Sequence, residues 1–405
     1  MTQAAVGGET VEEFRSRARE WLTAHAGELV DPEGSERGFS RRALTALYDA
    51  GLAGVTWPVE YGGLGLTHEH QDALGAELRA YPNVLVGELV TLGICAPTLL
   101  DFGSEEQKRR HIPRMLRGDE GWTQLLSEPG AGSDLAGLQT RVVRDGDEWV
   151  ATGQKVWTSA AQWCDYALMI GRTTPELPKH RGLSMFIVDL KATGVTIRPL
   201  RQMTGAADFN EVFLDEVRLP ADALVGAEND GWRALLRMLM HERMAIGAGT
   251  GGSRMGRDMF EVLRDLAREK GVDRVEGVRR ALLELYVQER ILALMGRRMR
   301  DALAKGREPG PEGSVAKIAN AVLSRTAANT GMLIGGAAAL AWDADDPHGA
   351  ELATACLFSP MTAIAGGTTE IQRNTIGERV LGLPKEPQVD RDVPFRDVLQ
   401  NPQRT

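Results

Sequence analysis

Four short stretches of this chain bring together residue types that could bind or transform a ligand. Ser127-Glu128-Pro129-Gly130-Ala131-Gly132-Ser133-Asp134 combines two glycines, which permit tight turns, with two hydroxyl donors. Successive backbone N–H groups in such a turn can converge on an anion. An ordinary surface turn would use the same residues, and composition weighs the two readings equally. Gly153-Gln154-Lys155-Val156-Trp157-Thr158-Ser159 sets an aromatic ring beside two hydroxyls at a strand end. A flat cofactor could stack on Trp157 while Thr158 or Ser159 donates to a ring nitrogen. Taken alone, a core Trp with locally satisfied hydroxyls is the commoner use of such residues.

Glu242-Arg243 lies in a run rich in Leu and Met, with Leu239, Met240 and Met244 around it. A carboxylate beside an apolar pocket has a raised pKa and can act as a base, although most helical Glu-Arg pairs are structural. Ala365-Gly366-Gly367-Thr368-Thr369-Glu370 is a Gly-Gly turn running into a helix N-terminus. Free N–H groups and the helix dipole there suit a phosphate or a polarised carbonyl, and a plain connection with Thr368 or Thr369 as N-cap uses the same residues. Two further patterns are set aside. Gly247-Ala248-Gly249-Thr250-Gly251-Gly252 matches G-x-G-x-x-G, but it continues a helical run from Trp232 to Ile246 and follows no strand, so close helix packing is the better reading. The seven His do not cluster beyond His68 and His70, and no HExxH is present, so no metal site is expected.

The elements that must position these residues fall into three zones. Up to about Asp119 the pattern is helical: Thr10 and Glu13 form a capping box, and Val11, Phe14, Ala18, Trp21 and Leu22 share one face. A second helix is expected after Ser40, ending near Gly51, and others over Glu69–Tyr81 and Glu105–Arg117. From Glu120 to about Val225 the pattern is of strands: Thr140–Arg144 and Glu148–Thr152 around Asp145-Gly146, then Tyr166–Gly171, Leu183–Leu190, Val195–Leu200 and Asn210–Leu219. No helix-length pattern separates them, which favours an antiparallel barrel or sandwich over a parallel nucleotide-binding sheet. From Asp230 to about Gly382 long helices return, over Gly231–Ala248, Arg254–Lys270, Gly277–Ala304, Gly313–Leu340, Ala350–Ile364 and Thr369–Val380. Their short connections suggest an antiparallel bundle, and the tail after Pro384 reads as extended.

The expectation is therefore an α+β multidomain protein. It has an N-terminal helical domain (1–119), a middle antiparallel β-barrel or sandwich domain (120–228), a C-terminal four-helix bundle (229–384) and an extended tail (385–405). With 405 residues, 43% of them hydrophobic, the chain can bury a core in more than one compact unit. A net charge of −9 argues against nucleic acid as main partner. No run approaches the roughly 18 apolar residues of a transmembrane segment. Cys95, Cys164 and Cys356 form no CxxC pair, and Met1–Thr10 carries no apolar export core, so a reduced, cytoplasmic setting is expected.

Taken in order and at these distances, SEPGAGSDLAGL, GQKVWTS and GGTTEIQRNTIGERVLGLP resemble the acyl-CoA dehydrogenase family, as do EYGGLGL and MTGAADFNEVF. The similarity runs from about Thr10 to Pro384. It implies a flavoprotein oxidoreductase of lipid metabolism that binds FAD between the middle domain and the bundle. The reaction implied is α,β-dehydrogenation of an acyl thioester, carried by CoA or acyl-carrier protein, to the enoyl thioester. The β-hydride goes to flavin N5, and electrons pass to an electron-transfer flavoprotein.

By the same resemblance, Leu126 and Ser127 line the flavin pyrimidine edge, and Ser133 meets the pyrophosphate and the CoA arm. Trp157 lies against the isoalloxazine, with Thr158 and Ser159 near its N5 edge. Thr368 and Glu370 contact FAD, and Gly367 lies on the substrate side. The thioester carbonyl is held by a flavin hydroxyl and one backbone N–H, here that of Gly366. Most members place the catalytic Glu at the position of Gly366, which cannot be a base. A bacterial branch instead carries it on the first long helix of the C-terminal domain, next to an Arg; Glu242-Arg243 in LMHERMAIGAG looks like that arrangement. Glu242 is then the base that abstracts the α-proton, Arg243 contacts the substrate arm or orients the base, and Glu370 is the weaker candidate.

The chain also departs from the family. An Arg-x-x-Phe-Gly stretch that reaches the FAD of a neighbouring subunit is not recognisable in Gly271–Tyr286, and Met332 stands where Gln often precedes the match to Gly335-Gly336. A homodimer or homotetramer is the implied assembly. A half-site or non-catalytic subunit of a hetero-oligomer is the alternative, with a flavin oxidase or monooxygenase on the same fold as another.

Overall fold

The computed structural model describes residues 8–29, 36–78, 80–81, 89–247, 258–305, 310–342, 347–387 and 390–398. The chain divides into two compact units. The first comprises Met1–Arg201, Ala207–Glu242 and Pro387–Thr405; the second comprises Gln202–Ala206 and Arg243–Glu386. A helical N-terminal region, a middle β-sheet and a helical C-terminal region follow one another along the chain, as the sequence led us to expect.

The first unit opens with α1 (Val11–Ala24), α2 (Glu36–Asp49) and α3 (His68–Leu78). Thr10 caps α1 through the expected capping box. Phe14, Ala18 and Leu22 of α1 pack with Leu44 and Leu47 of α2 and Leu74 of α3 in one apolar cluster. Helix α2 begins at Glu36, earlier than Ser40, because no proline or cap interrupts the intervening residues. A π-helical turn over Thr91–Cys95 precedes α4 (Ala96–Phe102), and α5 (Glu105–Arg117) starts at a capping box that sequence reading missed, Ser104 with Gln107. The π turn covers the start of the sheet. Thr91 Oγ1 accepts from Trp122 N (3.0 Å), and Cys95 Sγ donates to the Thr123 carbonyl (3.3 Å).

The strands are β1 (Trp122–Leu125), β2 (Arg141–Asp145), β3 (Glu148–Ser159), β4 (Tyr166–Arg172), β5 (Leu183–Asp189), β6 (Val195–Leu200), β7 (Phe209–Pro220) and β8 (Leu224–Val225). They form one eight-stranded sheet in the order β6-β7-β3-β2-β4-β5-β8, with β1 on β4. The sheet is mostly antiparallel, but β1 pairs with β4 in parallel, Trp122 opposite Tyr166. That short strand carries only four residues, too few for a period-2 signal to be read from sequence. Strand β3 runs past Thr152 to Ser159, so the GQKVWTS motif is itself strand, paired with β7. The hairpin before it turns on Gly146-Asp147, with Asp145 opposite Glu148, and Gly146 supplies the left-handed φ of +62°.

Helix α6 (Gly231–Gly247) begins in the first unit, where Ala234, Leu235 and Met238 join the cluster of Leu126, Ala131, Ile170 and Met185. The second unit holds α7 (Met259–Glu269), α8 (Glu276–Ala304), α9 (Glu312–Gly335), α10 (Pro347–Phe358) and α11 (Thr369–Arg379). Its core contains Leu263 and Leu266 of α7, Leu282 and Leu285 of α8, Ile334 of α9 and Leu352 of α10. Helix α9 ends at Gly335, before Leu340, because Gly335-Gly336 breaks it into a 3-10 turn. Arg254 and most of the Gly247–Gly252 pattern lie outside the described residues.

Candidate active site

Two of the sequence motifs are fastened together in the first unit by a buried ion pair. Lys155, on β3, has no solvent exposure, and Glu128 is 8% exposed. Lys155 Nζ donates to Glu128 Oε1 (2.9 Å) and to the Leu126 carbonyl (3.0 Å). Glu128 also accepts from Gln139 N (2.6 Å) and Thr140 N (2.8 Å), and Ser127 accepts from Val156 N (2.9 Å). Burial alone would push the Glu128 carboxyl up. The Lys155 ammonium and the backbone donors outweigh it and hold the group below its ordinary value. The turn is closed by reciprocal backbone bonds between Glu128 and Ala131, both 3.0 Å. Leu126 is buried, Ser127 half-buried and Ser133 exposed.

The end of β3 departs from regular strand. Its register with β7 slips between Lys155↔Val212 and Thr158↔Asn210, so β3 carries one extra residue there. In an unbroken strand Lys155 and Trp157 would share a face. The bulge re-aims them: Lys155 is fully buried, Trp157 is 63% exposed at φ +61°, and Thr158 is buried. A left-handed conformation costs a non-glycine residue roughly 1–2 kcal/mol, so the surrounding bonds must hold it. They do: Asn210 Nδ2 donates to the Thr158 carbonyl (3.1 Å), and Thr123 Oγ1 to the Ser159 carbonyl (2.6 Å). The Trp157 indole meets the edge of Phe209, at 6.2 Å between centroids. The core-Trp reading is thus overturned, and one flat ring is presented outward. Beside it the Thr158 hydroxyl is buried with no hydrogen-bond partner among the described residues, as is Gln124 Oε1 on β1. Unmatched buried polar atoms call for a ligand or water.

Glu242 sits on α6, one turn beyond Met238, and is 8% exposed. Gln124 Nε2 donates to its Oε2 at 3.4 Å. Helix α6 is fixed nearby by Asp101 of α4, which binds Arg237 Nε (2.7 Å) and His241 Nε2 (2.9 Å). Burial pulls His241 below its ordinary value, more than Asp101 raises it. Gln124, Lys155 and Asp101 had no role assigned from sequence. The one available signal was a lysine of opposite charge to Glu128 within the neighbouring motif.

The remaining candidates belong to the second unit. Arg243 is half-buried by the first turn of α9, where a Cβ on Gly313 would lie 3.8 Å from its own Cβ. Gly366 and Gly367 take φ of +66° and +85°. Gln372, buried, donates Nε2 to the Gly366 carbonyl (2.8 Å), and a Cβ on Gly367 would meet that same nitrogen at 2.6 Å. Thr368 caps α11, its Oγ1 accepting from Ile371 N (3.3 Å), and Glu370 is exposed. The Gly-Gly turn is thus a built element, held by a side chain of the helix it introduces.

Residues 8–119, 123–217 and 229–381 match the models of the N-terminal, middle and C-terminal domains of acyl-CoA dehydrogenase. The chain is 37% identical over 392 residues to the acyl-CoA dehydrogenase IpdE1 of Mycobacterium tuberculosis, covering 93% of this chain and 99% of that one. It is 40% identical over 340 residues to FadE34 of the same organism, covering 84% of this chain and 46% of that longer protein. Among solved structures, the ChsE4-ChsE5 complex of M. tuberculosis matches with TM-score 0.75 and 31% identity, over 95% and 100% of the two chains. A Tcur3481-Tcur3483 steroid acyl-CoA dehydrogenase matches with TM-score 0.78 and 30% identity, over 93% and 98%.

Proposed function

The chain belongs to the acyl-CoA dehydrogenase family, and from that premise we propose that it converts an acyl thioester to the enoyl thioester with Glu242 as base. The family is FAD-dependent. The observation that carries the reading is the end of β3, where an exposed indole stands beside a buried hydroxyl that no group among the described residues satisfies. Trp157, Thr158 and Ser159 would hold the ring, Leu126 and Ser127 its pyrimidine edge, and Ser133 the pyrophosphate; by the family resemblance Thr368 and Glu370 are also assigned to FAD. Bound there, FAD supplies the acceptor for the β-hydride at its N5.

The rest of the chemistry falls to side chains and backbone. An α-proton beside a thioester is weakly acidic, so it needs both a base and a polarised carbonyl. Glu242 takes the proton onto its carboxylate, whose rotation Gln124 fixes through Oε2. The Gly366 N–H would donate to the carbonyl, and Gly367 and Arg243 would lie along the substrate. The carrier is CoA or acyl-carrier protein, and electrons leave to an electron-transfer flavoprotein. Likeness to a steroid enzyme supports a large, ring-bearing acyl group. The divisions at 119, 228 and 384 belong to the same reading.

The decisive test is a visible absorption spectrum of the protein expressed alone, before and after anaerobic addition of short, branched and ring-bearing acyl-CoAs. A flavin spectrum bleached by one of them is expected. A protein that stays colourless with added FAD would favour the second reading, a half-site subunit of a hetero-oligomer. That reading draws on two observations: the family's FAD-reaching stretch is not recognisable, and α8 presents an outward apolar row, Leu283, Val287, Ile291 and Leu294. Complexes of two chains among the related structures support it too.

A second expectation concerns the turn. In a Glu242→Gln background, Gly366→Glu should return at least about ten-fold of the lost turnover, because a general base contributes roughly 10²–10⁴-fold. Its stability cost should be about 1 kcal/mol, since residue 366 sits at φ +66°. Loss of FAD, or no recovery in steady-state assay, would count against a carbonyl site at this turn.

A further inference from the structure

The tail runs without helix or strand from Gly382 to Pro387, and at residues 390–398 it lies against the first unit. Pro394 bridges to Pro178 in the connection between β4 and β5. Phe395 N donates to the Leu177 carbonyl (2.9 Å) and Arg396 N to that of Pro175 (3.1 Å). The Phe395 ring is buried beneath the Arg172 guanidinium, whose central carbon is 3.4 Å from the ring centroid. Arg172 is itself buried and donates to the carbonyls of Ala136 (2.6 Å), Leu138 (3.1 Å) and Lys179 (3.2 Å). Lys179 Nζ stands between Asp390 (2.9 Å) and Asp134 (3.2 Å).

Two side-chain anchors of the tail, Asp390 and Phe395, therefore end on the same short turn, while Arg396 pairs with Glu176 (3.5 Å) in the β4–β5 connection. Asp390 reaches Asp134 through Lys179, and Phe395 reaches Ala136 and Leu138 through Arg172. Ser133 immediately precedes these residues. A guanidinium sandwiched between an aromatic face and three carbonyls cannot move without losing several directed contacts at once. We infer that residues 390–398 form a strap that sets the position of the Ser133–Leu138 turn, and through it the grip on the FAD pyrophosphate. The second half rests on the assignment of Ser133 proposed above. Phe395 and Asp390 act through Arg172 and Lys179, so they are positioning residues and touch no ligand themselves.

The test uses the full chain with Phe395→Ala, Phe395→Tyr to restore the ring, and Asp390→Asn as a milder break that leaves the buried ring in place. Hydrogen exchange reports the turn directly, because Gly137 N and Leu138 N are bonded within it to Asp134 and Leu135. Exchange at these amides should quicken in Phe395→Ala, less so in Asp390→Asn, and return towards wild type in Phe395→Tyr. FAD affinity, read from quenching of flavin fluorescence, should fall about ten-fold in Phe395→Ala, the scale of one desolvated cation–aromatic contact. Faster exchange confined to residues 390–398, with Gly137 and Leu138 unchanged, would overturn the strap. Faster exchange at the turn with unchanged FAD affinity would overturn its link to the cofactor. If the wild-type chain binds no FAD, the flavin-site assignment fails, while the exchange measurement still decides the strap.

Discussion

Glu242→Gln is expected to lower turnover by about two orders of magnitude or more, the usual scale for loss of a general base. The substitution is nearly isosteric, so the bond from Gln124 can persist and α6 stays packed through Ala234, Leu235 and Met238. FAD content and the melting transition should therefore match the wild type. The step that slows is transfer of the α-proton, which is visible as slower flavin bleaching after rapid anaerobic mixing with the thioester. Bleaching at a near-normal rate would remove Glu242 from the chemistry and move attention to Glu370 or to a partner chain.

Lys155→Met should cost about 3–5 kcal/mol of stability, because it strands a buried carboxylate without its cation. One further contact goes with it, because the Leu126 carbonyl loses its donor, and the 127–134 turn loses its clamp to β3. Added Glu128→Gln should recover most of the loss, since the double variant has no buried charge to strand. The pH dependence follows from the direction of the Glu128 shift. In the wild type its folded-state carboxyl lies below the ordinary value, so its stabilisation is full above the unfolded pKa and fades as pH falls through the folded one. In Lys155→Met burial is opposed by the backbone donors alone, the group rises, and protonation relieves the stranded charge. The gap between wild type and variant should shrink as pH falls from 7 towards the carboxylate range, about 4. Urea titrations at the two pH values read it out, and a gap that widens on acidification would contradict an ionised pair.

Much of the architecture was legible because it is written in local signals. The Thr10–Glu13 capping box, the apolar spacing of Phe14, Ala18 and Leu22, and the strand β6 depend on neighbours a few residues apart, and they appear as read. Boundaries shifted where the deciding feature was weak or non-local. Strand β3 continues through GQKVWTS because β7 pairs with it, and β1 is a strand because β4 and the π turn flank it. The motifs themselves were visible as residue types, but their use was not. Lys155 reads as one more polar residue at a strand end until Glu128, 27 positions away, is placed against it.

The sequence by itself determined the order of helical, strand and helical zones, the family, and the residue types available to a flavin and a thioester. Those follow from side-chain periodicity, caps and motif spacing, which act over one or two turns of chain. Only the tertiary structure decided how the residues are used. The bulge against β7 turns Trp157 outward while burying Lys155 and Thr158, and a period-2 reading would have placed them differently. Glu242 meets Gln124 across 118 positions, and Phe395 meets Arg172 only because the tail returns to the first unit. Contacts at such separations are set by which surfaces pack and which strand register wins, and no local preference of the residues involved encodes that choice.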